Sequence, residues 1–185
     1  MDEVVLRSRP EIREYTIFVS SGDDALSLRN RVTALIEEVF SPLLRRMGLP
    51  FRLQVERWER EPAQRAPGGN PNAIFVEKAR QSDLTLVLLR DRLGPGTREE
   101  IEGIADREDV ELSILWFPSG SAEATGLPAA ENAETFLRGQ SEALYARCED
   151  SDSESSWHII LRPILLLMLR VFAEEENRET LVERR

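Results

Sequence analysis

The chain alternates compact apolar runs with stretches whose apolar residues recur every three or four positions. "YTIFVS", Tyr15 to Ser20, is short, β-rich and unbroken, which predicts a buried strand. "SGDD" interrupts it, and Asp23 or Asp24 can cap the segment that follows. From Ala25 onward Leu28, Val32, Leu35, Val39 and Leu43 fall on one helical stripe. Pro42 is expected to kink or end that helix, and Gly48 closes the region. "FRLQVERW" sets Phe51, Leu53 and Val55 against Arg52, Gln54 and Glu56, the alternation of a half-exposed strand. A long Pro- and Gly-rich loop follows, and Asn70 with Pro71 can open a helix carrying Ile74, Val76 and Ala79.

"DLTLVLLR" is apolar on both faces and predicts a fully buried strand. A Gly-Pro-Gly turn leads to a short helix from Arg98 to about Asp106, and Val110 to Phe117 forms the next strand. A second loop, a helix over Ala130 to Leu137 and a short strand in "EALYARCE" complete the alternation before a long final helix. Pro163 is expected to end the first turn of that helix or kink it, and the tail "EEENRETLVERR" to fray. Strand–helix alternation of this kind predicts an α/β fold: a mainly parallel five-stranded sheet with helices on both faces, in three layers and flavodoxin-like. It occupies residues 13–174, with an arm at 1–12 and a charged tail at 175–185. Ligands in such folds sit beyond the carboxyl ends of the strands. The segments leaving three of those ends are "SSGDD", "ERWEREP" and "RDRLGPGTREE".

Charge narrows the partners. Thirty-four acidic against 24 basic residues give a net charge of −10, which argues against a nucleic-acid binder. A single cysteine, Cys148, permits no internal disulfide and suits a cytoplasmic protein. One histidine and one cysteine cannot build a conventional zinc site, so no metal is expected. The opening residues lack the apolar core of a secretion signal. Trp157 to Phe172 is short for a span and is interrupted by His158, Arg162 and Arg170; it reads as a core or docking helix, with no membrane partner.

The candidate chemistry gathers on those strand ends: Ser20, Ser21, Gly22 and Asp23, then Trp58, then Asp91, Gly96, Thr97 and Glu100. Two readings of the last group are open. Thr97 can be a helix N-cap with Glu100 three residues on, a capping box. Alternatively Glu100 does chemistry. Elsewhere "PGGNP" lacks the Lys-Ser/Thr of a phosphate-binding loop, and His158 reads as structural or interfacial. Cys148 has no evident base, and Trp116 and Trp157 read as core.

"IFVSSGDDALSLRNRV", "ERWE" and "NPNAIFVEKARQSDLTLVLLRDRLGPGTREEIEGIA" together resemble the TIR-like and nucleoside 2-deoxyribosyltransferase-like families, most of all their bacterial signalling and antiphage-defence subset. The resemblance covers about Tyr15 to Ala105. "GTREEI" is similar to the deoxyribosyltransferase Gly-Thr-x-x-Glu-Ile motif, whose glutamate attacks the sugar anomeric carbon. The TIR domains that cleave NAD carry their catalytic glutamate on the same turn. Both patterns fall on Glu100 rather than Glu99. The opening differs from the TIR pattern in lacking an aromatic residue after the serine, and the turn before Glu100 is shorter.

The resemblance implies an enzyme that breaks an N-glycosidic bond of NAD or a related nucleotide, with no other cofactor required. Glu100 would stabilise or capture an oxocarbenium-like sugar. Asp91 would hold ribose hydroxyls. Ser20, Ser21 and Gly22, with Gly96 and Thr97, would receive ribose or phosphate, and Trp58 would stack on the base. It equally allows a non-enzymatic module that senses a nucleotide, self-associates or docks on a separate regulatory protein, for which the apolar final helix is the natural surface.

Overall fold

Leu84 to Leu89 are all buried, so this strand must lie at the centre of a sheet covered on both faces. A computed structural model describes residues 12–57, 72–105, 107, 111–121, 125–140, 145–148 and 154–183. In chain order the elements are β1 (Arg13–Ser21), α1 (Leu26–Ala34), α2 (Ser41–Arg46), β2 (Phe51–Glu56), α3 (Asn72–Gln81), β3 (Leu84–Leu89), α4 (Pro95–Ile104), β4 (Glu111–Trp116), α5 (Ala133–Arg138), β5 (Tyr145–Arg147) and α6 (Glu154–Glu183). The five strands pair in the order β2-β1-β3-β4-β5, every pair parallel. This is the predicted three-layer flavodoxin-like α/β fold. The strand order reverses between β1 and β3, which creates a crevice at their carboxyl ends.

Two cores lie on the two faces. Ile17, Val19, Leu84, Leu86 and Leu88 meet Leu28, Val32 and Ile36 of the first helical segment and Ile160, Ile164, Leu167 and Val171 of α6. On the opposite face Val87, Leu89 and Ile114 meet Ile101 of α4 and Ala133 and Leu137 of α5, while Phe18 packs with Ala79 of α3 and Ile104 of α4. A Cβ added at Gly103 would come within 2.6 Å of Val76 Cγ1, so the missing side chain there is what lets α3 and α4 lie so close.

Four expectations need correction. Val39 and Leu43 are 52% and 45% exposed, and the buried stripe instead runs Ile36, Phe40, Leu44. Between α1 and α2 the chain widens into π-helical turns over Leu35–Phe40. Each wide turn takes up more residues than an α-turn, so the apolar phase slips. Pro42 therefore does not end the helix; it sits in the first turn of α2, where its missing N–H costs little. Helix α4 begins at Pro95, not Arg98, with Gly94 as N-cap. Helix α6 runs through Pro163 and on to Glu183, so the backbone of the tail is helical rather than frayed up to that residue. The proposed Asn70–Pro71 cap lies outside the described residues.

The slipped phase is testable by denaturant titration. Ile36→Ala removes a fully buried side chain and should cost about 3 kcal/mol. Val39→Ala, on the ideal α-helical stripe but facing solvent, should cost less than about 0.5 kcal/mol.

Candidate active site

Helix α4 buries Thr97, Glu100, Ile101 and Ile104, a three-and-four spacing that forms one stripe facing the sheet. Glu99 faces solvent, as does Glu102, which pairs with Arg98 at 2.8 Å one turn back. Helical period alone therefore decides between the two neighbouring glutamates. Because Pro95 is the first helical residue, Thr97 is third and Glu100 sixth. Thr97 is not an N-cap, Gly94 gives no side-chain cap, and Glu100 is too far along the helix for a capping box. Its burial, to 7% exposure, thus has a different origin.

That origin is the end of β1. Ser20, itself 2% exposed, donates its hydroxyl hydrogen to Glu100 Oε2. The strand register carries Ser20 and Ser21 alongside Val87 and Leu88 of β3, just before the turn into α4. Ser20, Ser21 and Gly22 from β1 and its turn, Gly96, Thr97 and Glu100 from α4, and Asn72 and Phe75 from α3 line one cleft of about 360 Å³. This volume is in the range of small-molecule sites. Gly96 has a packing role here: a Cβ would stand 3.2 Å from Asn72 Oδ1.

Burial pushes the Glu100 carboxyl up to about 7; the Ser20 hydrogen bond and the positive charge of Arg29 oppose this rise, while Glu99 adds to it. The acid and carboxylate forms are then both populated near neutrality. Arg29 is the residue missed by sequence reasoning. It is 1% exposed, and its Nη1 donates to the Ser21 carbonyl at 3.1 Å. In the fold it lies one helical turn before the buried Thr33 and two before the buried Ile36, on the inward stripe set by the π-helical turns rather than on the one the sequence period marks. An arginine on such a stripe is seldom buried without a partner.

Of the predicted residues, Ser20, Ser21, Gly22, Asp23, Gly96, Thr97 and Glu100 are brought together, and Trp58 lies outside the described residues. Asp91 is not part of this cleft. It lines a separate depression of about 210 Å³ with Trp116 and Arg147, where its carboxylate accepts hydrogen bonds from the backbone and hydroxyl of Ser119. The turn after β3 points this side chain toward β4, away from Glu100, which explains why adjacency in sequence misled. Asp24 plays the joining role instead. Its Oδ2 accepts from the amides of Asp91 and Arg92 at 3.2 and 2.9 Å, tying the β1 turn to the β3 turn. Gly22 makes room for that carboxylate, since a Cβ there would stand 2.9 Å from Asp24 Oδ1.

Cys148 is fully buried, and burial pushes its thiol up to about 11, which makes it a poor nucleophile. Trp116 is core as predicted, donating its indole N–H to the Arg90 carbonyl at 2.9 Å. Among the described residues no group of three or more His, Cys, Asp or Glu side chains could hold a metal ion, and no helix is long and apolar enough to cross a membrane.

The raised carboxyl pKa has a thermodynamic signature. The unfolded chain releases the Glu100 proton near 4.5, the folded chain only near 7. Stability due to this group is full below pH 4.5 and falls as pH rises through 7. Glu100→Gln keeps the shape without the charge. It should match the wild type at pH 4 and be more stable by about 3 kcal/mol at pH 8, read as paired urea titrations. No protein-family model, curated protein or solved structure significantly matches this chain.

Proposed function

We propose that this chain cleaves an N-glycosidic bond of NAD or a related nucleotide, with the Glu100 carboxylate as the group that meets the anomeric carbon. The observation that carries the reading is the buried Glu100–Ser20 pair at the strand switch, facing a cleft of about 360 Å³. An acid placed there without a capping role, desolvated and held by a neighbouring hydroxyl, is the arrangement expected of a working group. The resemblance of "GTREEI" to glycosyl-cleaving motifs supports the same residue.

The chemistry follows from the geometry. As the bond from the anomeric carbon to the base nitrogen breaks, its electron pair leaves with the base and positive charge grows on the sugar. The ionised Glu100 stabilises that charge or forms an ester with the carbon; water then adds to the carbon, its hydroxyl becoming the sugar's and its proton passing to the departed base or to solvent, and the carboxylate is restored. Ser20 holds one carboxylate oxygen and leaves the other for the sugar. Gly22, Gly96 and Thr97 contribute backbone and hydroxyl groups for ribose or phosphate near the amino end of α4.

Purified protein incubated with NAD, NADP, nucleosides and deoxynucleotides should release free base by chromatography, and Glu100→Gln should reduce this at least about a hundredfold. Activity should rise with pH through a midpoint near 7, because the carboxylate is the active form. Ser20→Ala should move that midpoint upward, because the hydroxyl favours the ionised form. Base release by Glu100→Gln at the wild-type rate would overturn the reading.

A second reading, a docking or self-associating module, rests on α6. Its Ile164 and Leu167 are fully buried within the fold, but Leu165, Leu166 and Leu169 are 46%, 46% and 63% exposed. If this reading is right, Leu169→Glu should leave the melting temperature unchanged and abolish any concentration-dependent increase in mass seen by light scattering.

A further inference from the structure

We propose that Arg29 is a positioning residue of the Glu100 site, holding the β1 turn through the Ser21 carbonyl and setting a fixed positive charge behind the Glu100 carboxylate. The inference rests on the reading of Glu100 as the working group.

Three observations support it. Arg29 is 1% exposed on a helix whose other buried positions are Leu28, Val32 and Thr33. A guanidinium cannot lose its charge, so burying it demands compensation close by. Its Nη1 meets the carbonyl of Ser21, the residue next to the one that holds Glu100. A continuous path thus runs from Arg29 through the Ser21–Ser20 backbone to the carboxylate. Thr33 reinforces the arrangement by donating its hydroxyl to the Arg29 carbonyl at 2.8 Å.

Among the described residues the charges that act on Glu100 are those of Arg29 and Glu99. Glu99, on the outer side of α4, disfavours a further negative charge, and Asp23 lies on the cleft wall. Helix α3 presents Asn72 and Phe75, neither of which titrates. Strand β1 offers the Ser20 hydroxyl. Among the described residues Arg29 is a cation that opposes this set, and its effect on Glu100 is to favour the ionised form. A carboxylate that must meet a developing positive charge has to be ionised before the substrate arrives. Arg29 would serve that end from outside the cleft, without touching the substrate.

Two measurements decide the matter. First, Arg29→Met should move the acid limb of the pH–rate curve upward by about one unit, lowering the rate at pH 7 about fivefold while restoring it at pH 9. Arg29→Lys, which keeps the charge, should return the midpoint toward that of the wild type. Loss of rate at every pH in a folded Arg29→Met protein, with no movement of the midpoint, would reduce Arg29 to a structural residue and overturn the proposal.

Second, the Arg29 side-chain ¹⁵N resonance is followed with pH in unsubstituted protein, which guards against a misfolded variant. It should titrate with the Glu100 midpoint near 7 in the wild type and stay flat in Glu100→Gln. A flat wild-type signal would overturn the proposal. Because this readout needs no turnover, absence of base release would fail the glycosidase reading while leaving the Arg29–Glu100 coupling decided on its own.

Discussion

The parallel pairing of β1 with β3 is the constraint on which the site depends. It sets Ile17 beside Leu84 and carries through to Ser21 beside Leu88, so two chain segments 67 residues apart end at the same level. From there one chain turns toward α1 and the other toward α4, in opposite directions across the sheet. Backbone groups freed by that divergence need partners. Asp24 supplies one set by accepting from the Asp91 and Arg92 amides, and Arg29 supplies another by donating to Ser21. The opening left between the turns is the cleft.

Burial of polar groups at this junction is costly unless each is bonded. Ser20, Thr97, Glu100 and Arg29 are all nearly inaccessible. A core built only for stability would replace such a set with apolar side chains at little loss. The energy spent here goes against the fold above neutral pH, since Glu100 ionises with more difficulty inside than outside. Tolerating that expense at a strand switch, beside an open cleft, is the physical reason to read the cluster as functional.

Glycines fit the same logic by what they leave out. Gly22 admits the Asp24 carboxylate, Gly96 admits Asn72, and Gly103 admits Val76. None of these needs a positive φ; each is a place where one segment passes close to another. The Gly-Pro-Gly run before Glu100 is thus partly a device for packing α4 on α3, with Pro95 starting the helix.

Alternation of apolar runs with helical stripes was enough to determine the α/β class, five strands and their parallel sense, because burial on two faces or one leaves a direct mark on residue type. Glu100 was singled out by the likeness of its motif, whereas its place on the inner stripe of α4 with Ile101 and Ile104 is a property of the fold. Tertiary structure alone decided the rest. The π-helical turns that slip the phase at Val39 and Leu43 depend on how the helix must meet the sheet, which local propensity does not encode. Asp91 faces β4 rather than Glu100 because its turn is tied down by Asp24 and Ser119, both distant in sequence. Arg29 became a buried cation only once β1, α1 and α4 closed around it: periodicity specifies which face of an element is apolar, whereas charge burial is a property of elements packed together.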